Sequence, residues 1–225
     1  MYPLGSLFNF VSRNLKMKKT TLALAMGLMI SGVASAEIAA NIGATRNYVW
    51  RGVSQTDDGA AVSGGLDYSN ESGVYAGTWT SNIDSDQEVD FYAGYSKDAV
   101  DVGAIVYHYS DADDFAEVYA NYSVGPATIG AAYTVDKENT STDENDLYYY
   151  VSASTELEDG WSLGGTLGLY DFDGSNGEYT HAQVDMSKSF GEAGDFTLSL
   201  SDLSNSGSSY TDEDWKLFVS YSKSF

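Results

Sequence analysis

Apolar and polar residues alternate one by one through twelve segments of this sequence. The segments lie near 38–50, 60–69, 73–82, 88–97, 100–109, 115–124, 127–136, 146–156, 161–171, 178–189, 195–203 and 214–225. A period of two marks strands with one apolar face. In 115–124, Ala116, Val118, Ala120 and Tyr122 point one way, and Phe115, Glu117, Tyr119, Asn121 and Ser123 the other. In 214–225, Trp215, Leu217, Val219, Tyr221 and Phe225 alternate with Lys216, Phe218, Ser220, Ser222 and Ser224. No long stretch shows a convincing period near 3.6. Most segments run to roughly ten residues, the length of a tilted strand that crosses a bilayer.

The connections alternate too. Ser69–Gly73, Lys97–Ala99, Gly125–Pro126, Glu158–Gly160 and Gly191–Gly194 are short, whereas 52–59, 137–145, 172–177 and 204–213 are longer and acidic. Pro126 sits in a tight turn, where it removes no ladder hydrogen bond. Short turns at one end and long loops at the other are the plan of an outer-membrane barrel. The fold expected is all-β: an antiparallel up-and-down transmembrane β-barrel of about 12 strands. A soluble sandwich or lipocalin-like barrel would carry more Lys, Glu and Thr on its second face. Here that face is rich in Gly, Ser, Thr and Tyr, which suits a confined lumen.

The N-terminus fits this plan. Met17-Lys18-Lys19 is a basic start, Leu22–Ile30 an apolar run, and Ala34-Ser35-Ala36 a small-x-small cleavage site. That is the pattern of a secretory signal peptide. The expected organisation is an upstream extension plus signal peptide over 1–36, cleaved after Ala36, and a barrel over 37–225. There is no cysteine, so no disulfide framework is expected. Four of the 11 basic residues and none of the 33 acidic ones fall in 1–36, which leaves the barrel 7 against 33, a net charge of −26. Such a chain avoids nucleic acid by repulsion.

Aromatic residues should form two interfacial girdles. Near the short turns the apolar parity carries Tyr68, Tyr75, Tyr95, Tyr122, Trp161, Phe190, Phe196, Tyr221 and Phe225. Near the loops it carries Tyr48, Trp50, Trp79, Phe91, Tyr133, Tyr149 and Trp215. Lys188 and Lys223 share that parity and are expected to snorkel to lipid phosphates. The aromatic end at Phe225 resembles the signal by which outer-membrane barrels are recognised for assembly. Outer-membrane lipid, lipopolysaccharide and the assembly machinery are thus the expected partners, with small solutes in the lumen.

The segment NYVWRGVSQTDDGAAVSGGLDYSNESGVYAGTWTSN, residues 47–82, resembles the N-terminal signature of the TorF family of porin-like proteobacterial outer-membrane proteins. The resemblance rests on the Tyr-x-Trp-Arg-Gly-x-Ser-Gln run, Gly64-Gly65-x-Asp67-Tyr68 and Gly73-x-Tyr75-x-Gly77-x-Trp79. It implies a barrel with a channel role and names no substrate.

Catalysis is not expected. A lipid hydrolase needs a serine, a histidine and an orienting group within hydrogen-bond reach. Of the two histidines, His108 has lipid-facing parity with apolar neighbours, and His181 faces the lumen beside Tyr170, Tyr179 and Gln183. HExxH and P-loop motifs do not occur. Acidic loop clusters (Asp111, Asp113, Asp114; Asp143, Glu144, Asp146; Asp171, Asp173; Asp212, Glu213, Asp214) read as solvated charge, because EF-hand spacing is not met. No cofactor or resident metal is expected.

The remaining site is the lumen. Its expected lining comprises Asp67, Asp90, Asp101, Glu117, Asp185, Tyr92, Tyr107, Tyr119, Tyr148, Tyr150, Tyr170 and His181. Two cations also point inward at the loop end: Arg51 on the first strand and Lys216 on the last, neighbours once the barrel closes. Opposed charged walls set selectivity in pores. Passive, cation-preferring diffusion of small hydrophilic solutes is one reading. A closed structural or adhesive barrel, with salt bridges that plug the lumen and acidic loops as working surface, is the other. Arg46 shares the lipid-facing parity of Ile42, Ala44, Tyr48 and Trp50. An unbroken first strand with Arg46 snorkelling at the outer rim is preferred over a β-bulge that turns it inward.

Overall fold

A computed structural model describes residues 36–137, 145–173, 177–206 and 213–225. Residues 1–35 of the expected leader and the acids Asp143, Glu144 and Asp212 lie outside the described residues. Twelve antiparallel strands close into a barrel: β1 (Ala36–Thr45), β4 (Ala61–Asn70), β5 (Val74–Asn82), β6 (Gln87–Lys97), β7 (Val100–Tyr109), β8 (Phe115–Val124), β9 (Ala127–Lys137), β10 (Leu147–Glu156), β11 (Trp161–Asp171), β12 (Glu178–Ser189), β13 (Asp195–Ser206) and β14 (Glu213–Ser224). Each strand pairs with its sequence neighbour in the barrel. β1 and β14 complete the ring in a register that sets Asn41 opposite Ser224 and Thr45 opposite Ser220. The aromatic end is tied in, since Phe225 N donates to Ala40 O at 2.8 Å. Closure leaves no free sheet edge, which a bilayer would not tolerate.

The distribution of side chains is inverted relative to a soluble protein. Ile38, Val62, Leu167 and Leu217 on the outer face are 60 % or more exposed, and similar residues stud every flank. An apolar surface of this extent is untenable in water and belongs in hydrocarbon. The most deeply buried side chains include Glu88, Glu117, Thr134, Asp146 and Ser201. The interior is polar, as in a transmembrane barrel.

The chain departs from the expected first strand. The barrel strand stops at Thr45, and residues 46–60 leave the wall. Within them β2 (Val49–Trp50) and β3 (Val53–Ser54) form a small ribbon of their own. Arg51 (φ 48°) and Gly52 (φ 87°) make its tip. Two successive positive φ angles are the requirement of a tight two-residue hairpin turn, and glycine supplies one of them without strain. Tyr48 and Trp50 therefore do not face lipid, contrary to their parity in the sequence. Arg46 is exposed and keeps the outward parity of Ile42 and Ala44, with its N–H bonded to Val219 O at 3.0 Å. The unbroken strand around it is not there, because the buried Asn47 that follows draws the backbone inward.

Two further girdle assignments are corrected. Asp67 pairs with Gly77 across β4 and β5, so Tyr75, Gly77 and Trp79 face inward with Asp67. Both faces of β5 offer apolar groups, and the bulky ones went inside. Tyr95, Tyr122, Trp161, Phe190, Phe196 and Phe225 at the short-turn end, and Phe91, Tyr149 and Trp215 at the loop end, are exposed as expected.

Candidate channel interior

Asn47 organises the inserted segment. Its Nδ2 donates to Asp58 at 2.7 Å, and its Oδ1 accepts from Ser54 Oγ at 2.6 Å and Thr56 Oγ1 at 3.3 Å. Thr56 Oγ1 in turn donates to Gly59 O at 2.7 Å. With these bonds the loop carries its own internal partners and can leave the ladder without stranded backbone groups.

The ribbon crosses the barrel. At one side Tyr48 donates to Glu88 Oε1 (3.1 Å) and meets Trp79 edge-on at 5.5 Å. Two strands along the wall, on β8, the Arg51 guanidinium forms a two-pronged pair with Glu117, at 2.8 and 2.7 Å. The guanidinium also lies 4.2 Å from the Trp50 ring centroid and 4.1 Å from that of Tyr148. A Cβ added to Gly52 would fall on the His181 side chain, so the tip is seated against β12. Around it Ala132, Tyr148, Tyr170, Tyr179 and Leu203 form a buried cluster, with Trp50 and Val53 packed on it. Next to Glu117 the ladder carries an irregularity: Ala116 pairs with Asp136, but Glu117 pairs with Thr134. Such bulges re-aim side chains beside sites.

Nearer the short turns the wall is a hydrogen-bonded mosaic. Asn41 Nδ2 donates to Asp67 at 3.0 Å, and the Tyr92 hydroxyl bonds the same carboxylate. Asp101 accepts from Tyr75 (2.7 Å) and Asn121 (2.9 Å), and Asn121 accepts from Tyr150 (2.9 Å). Asp185 accepts from Ser199 at 2.6 Å and Gln183 at 3.0 Å. The tyrosines lie flat because glycines make room. A Cβ on Gly77, Gly103 or Gly130 would strike the rings of Tyr92, Tyr119 and Tyr150 respectively. Beyond this mosaic a hollow of about 520 Å³ opens at the short-turn end, lined by Glu156, Ser162, Ser187, Asp195, Thr197 and Ser222.

The expected interior residues all lie on the inner side. The pairing of Arg51 with Lys216 on one wall is corrected: Arg51 sits at the ribbon tip and reaches Glu117, while Lys216 holds Asp58 of the inserted loop at 2.9 Å. His108 is exposed and bonded to Asp114 (3.0 Å), and His181 accepts or donates at Tyr148 OH (2.8 Å). Asp146 is no solvated loop charge, since it is buried against Lys137 at 2.5 Å. Sequence reasoning missed Glu88 and Asn47. The pairing of Asn47 with Asp58-Gly59, a turn signal that begins eleven residues on, was the available sign of a self-contained loop.

A family model described as "Bacterial protein of unknown function (Gcw_chp)" matches residues 31–223. The match does not carry the TorF name that the N-terminal motifs resemble. No curated protein matches the chain. Among solved structures, the COG4313 outer membrane channel from Pseudomonas putida F1 superposes with a TM-score of 0.54 at 12 % identity, over 86 % of this chain and 97 % of that one. The KdgM porin, solved in complex with disordered oligogalacturonate, superposes with a TM-score of 0.53 at 9 % identity, over 83 % and 98 %. At such identities the likeness is one of fold.

Proposed function

The chain belongs to the Gcw_chp family, and on that premise we propose that it is an outer-membrane channel for passive diffusion of small hydrophilic solutes, with a preference for cations. The observation that carries this reading is the interior itself. It is polar and hollow at the short-turn end and carries buried carboxylates, while the inward cations Arg51 and Lys216 are already matched by Glu117 and Asp58. Acids left in excess along a confined path favour cations. The inserted loop makes the loop-end half the narrow part. Export through a cleaved leader, assembly through Phe225 and contact of the acidic loops with lipopolysaccharide complete the proposal.

Liposome swelling with uncharged sugars of graded size, against zwitterionic and anionic solutes of matched size, tests it. Entry of the smallest sugars with exclusion of anions is expected. No swelling with any solute would remove the channel reading. A closed structural barrel is the second reading, and one observation favours it: the ribbon spans the lumen from Glu88 on β6 to His181 on β12 and packs into an aromatic cluster.

A further inference from the structure

Glu88 and Asp90 project from one face of β6, 2 % and 6 % exposed, with their carboxyl groups in contact. No basic side chain answers them among the described residues. Arg51 is taken by Glu117, Lys216 by Asp58 and Lys137 by Asp146. Buried charge without a counter-charge is costly. One oxygen is unanswered: Asp90 Oδ1 is buried and has no hydrogen-bond partner among the described residues. Around it the donors are oxygens and ring faces. The Tyr48 hydroxyl bonds Glu88, and Tyr109 stands directly across the ladder from Glu88. Trp79 and Tyr107 flank Asp90 on the two neighbouring strands. A proton shared by the two carboxyls would leave one negative charge and the bare Oδ1. A cation answers both.

We propose that Glu88 and Asp90, with the phenolic oxygens of Tyr48 and Tyr109, hold a hard divalent cation of the Ca²⁺ class that ties the inserted loop to the barrel wall. The all-oxygen donor set and two negative charges suit Ca²⁺, and the lack of histidine argues against a transition metal. Among the described residues no third carboxylate joins them, which makes the site one of modest affinity. Tyr48 belongs to the loop and both carboxylates to the wall, so the ion would act as a clasp. This proposal stands apart from the channel reading.

The purified barrel, stripped with EDTA, is titrated with CaCl₂ against choline chloride of equal ionic strength while thermal unfolding is followed. A saturable rise in the unfolding midpoint with Ca²⁺ alone is expected. Asp90→Asn should weaken that response by roughly tenfold or more, as expected when a charged ligand is lost. Asp113→Asn, in an exposed acidic loop, should leave it unchanged. Should Asp90→Asn not fold, Tb³⁺ serves as the probe on wild type and Trp79→Phe, with sensitised emission expected to drop in the latter. Equal midpoints in both salts, an equal Ca²⁺ response in wild type and Asp90→Asn, or Tb³⁺ emission indifferent to Trp79→Phe would each overturn the site. A shared proton would show as the first of these.

Discussion

Arg51 and Glu117, 66 residues apart in sequence, meet inside the barrel through two parallel N–H···O bonds of 2.8 and 2.7 Å, with side chains only 11 % and 2 % exposed. The planar guanidinium matches the carboxylate fork and stacks on Trp50 and Tyr148 at the same time, a combination lysine could not make. This contact pins the ribbon tip to β8. Removing one partner leaves the other charged and buried, at a cost of about 3–5 kcal/mol. Glu117→Gln and Arg51→Met should each lower the thermal midpoint of the refolded barrel. The double variant should recover part of the loss. Additive losses in the cycle would mean that the two residues are not coupled.

Arg51 and Lys216 each neutralise an acid, Glu117 and Asp58. Replacing both cations with neutral side chains therefore frees two carboxylates as well as removing two positive charges. The reversal potential in a salt gradient should move toward that of the cation. An unchanged reversal potential would place this pair off the conducting path.

Glycine is required where a tyrosine lies flat against the wall. A Cβ on Gly77 would overlap the Tyr92 ring and dislodge its hydroxyl from Asp67. At Gly164 the nearest atoms are 3.9 Å away, ordinary contact. Gly77→Ala should destabilise the barrel by roughly 1–3 kcal/mol, the usual range for overpacking. Gly164→Ala should be nearly silent. Denaturant titration in micelles compares them, and equal effects would refute the packing account.

Asp86 governs a loop outside the membrane-spanning strands. Its carboxylate accepts the backbone N–H groups of Ser110 (3.1 Å), Asp111 (3.0 Å) and Ala112 (3.1 Å). Desolvation acts to raise its pKa, but these bonds and that from Gln87 outweigh it and hold the carboxyl below its usual value. A depressed folded value means that the loop contact is present above the unfolded pKa, near 4 for an aspartate, and is lost as pH falls through the folded one. Amide exchange at 110–112 should be protected at neutral pH and lose protection only below that range. Asp86→Ala should remove the protection at every pH.

The strands were legible because lipid outside and polar groups inside impose one rule on every second residue. The segment 46–60 was not, because Tyr48 and Trp50 continue the parity of Ile42 and Ala44 up to the point where the chain leaves the wall. The informative residues there were Asn47, Arg51-Gly52 and Asp58-Gly59, turn chemistry interrupting an apolar rhythm. β5 misled for a different reason. Val74, Ala76 and Thr78 on one face and Tyr75 and Trp79 on the other are both acceptable to lipid, so period two found the strand but could not choose its face. Only the register with β4, which sets Gly77 opposite Asp67, decides it. Of the interior, the tyrosines and acids could be read individually. Which of them touch could not, because Arg51 to Glu117 and Tyr48 to Glu88 depend on a ribbon whose path is set by tertiary packing.

The central claim is a conducting barrel narrowed by its own first loop, and single-channel recording in planar bilayers tests it most directly. Wild-type barrel should be compared with a variant in which residues 47–59 are replaced by a short Gly/Ser turn, in a KCl gradient. The account predicts small, cation-preferring steps for wild type and clearly larger steps, still cation-preferring, for the variant. Silence from both proteins at every voltage, with their barrels verified as folded, would contradict it.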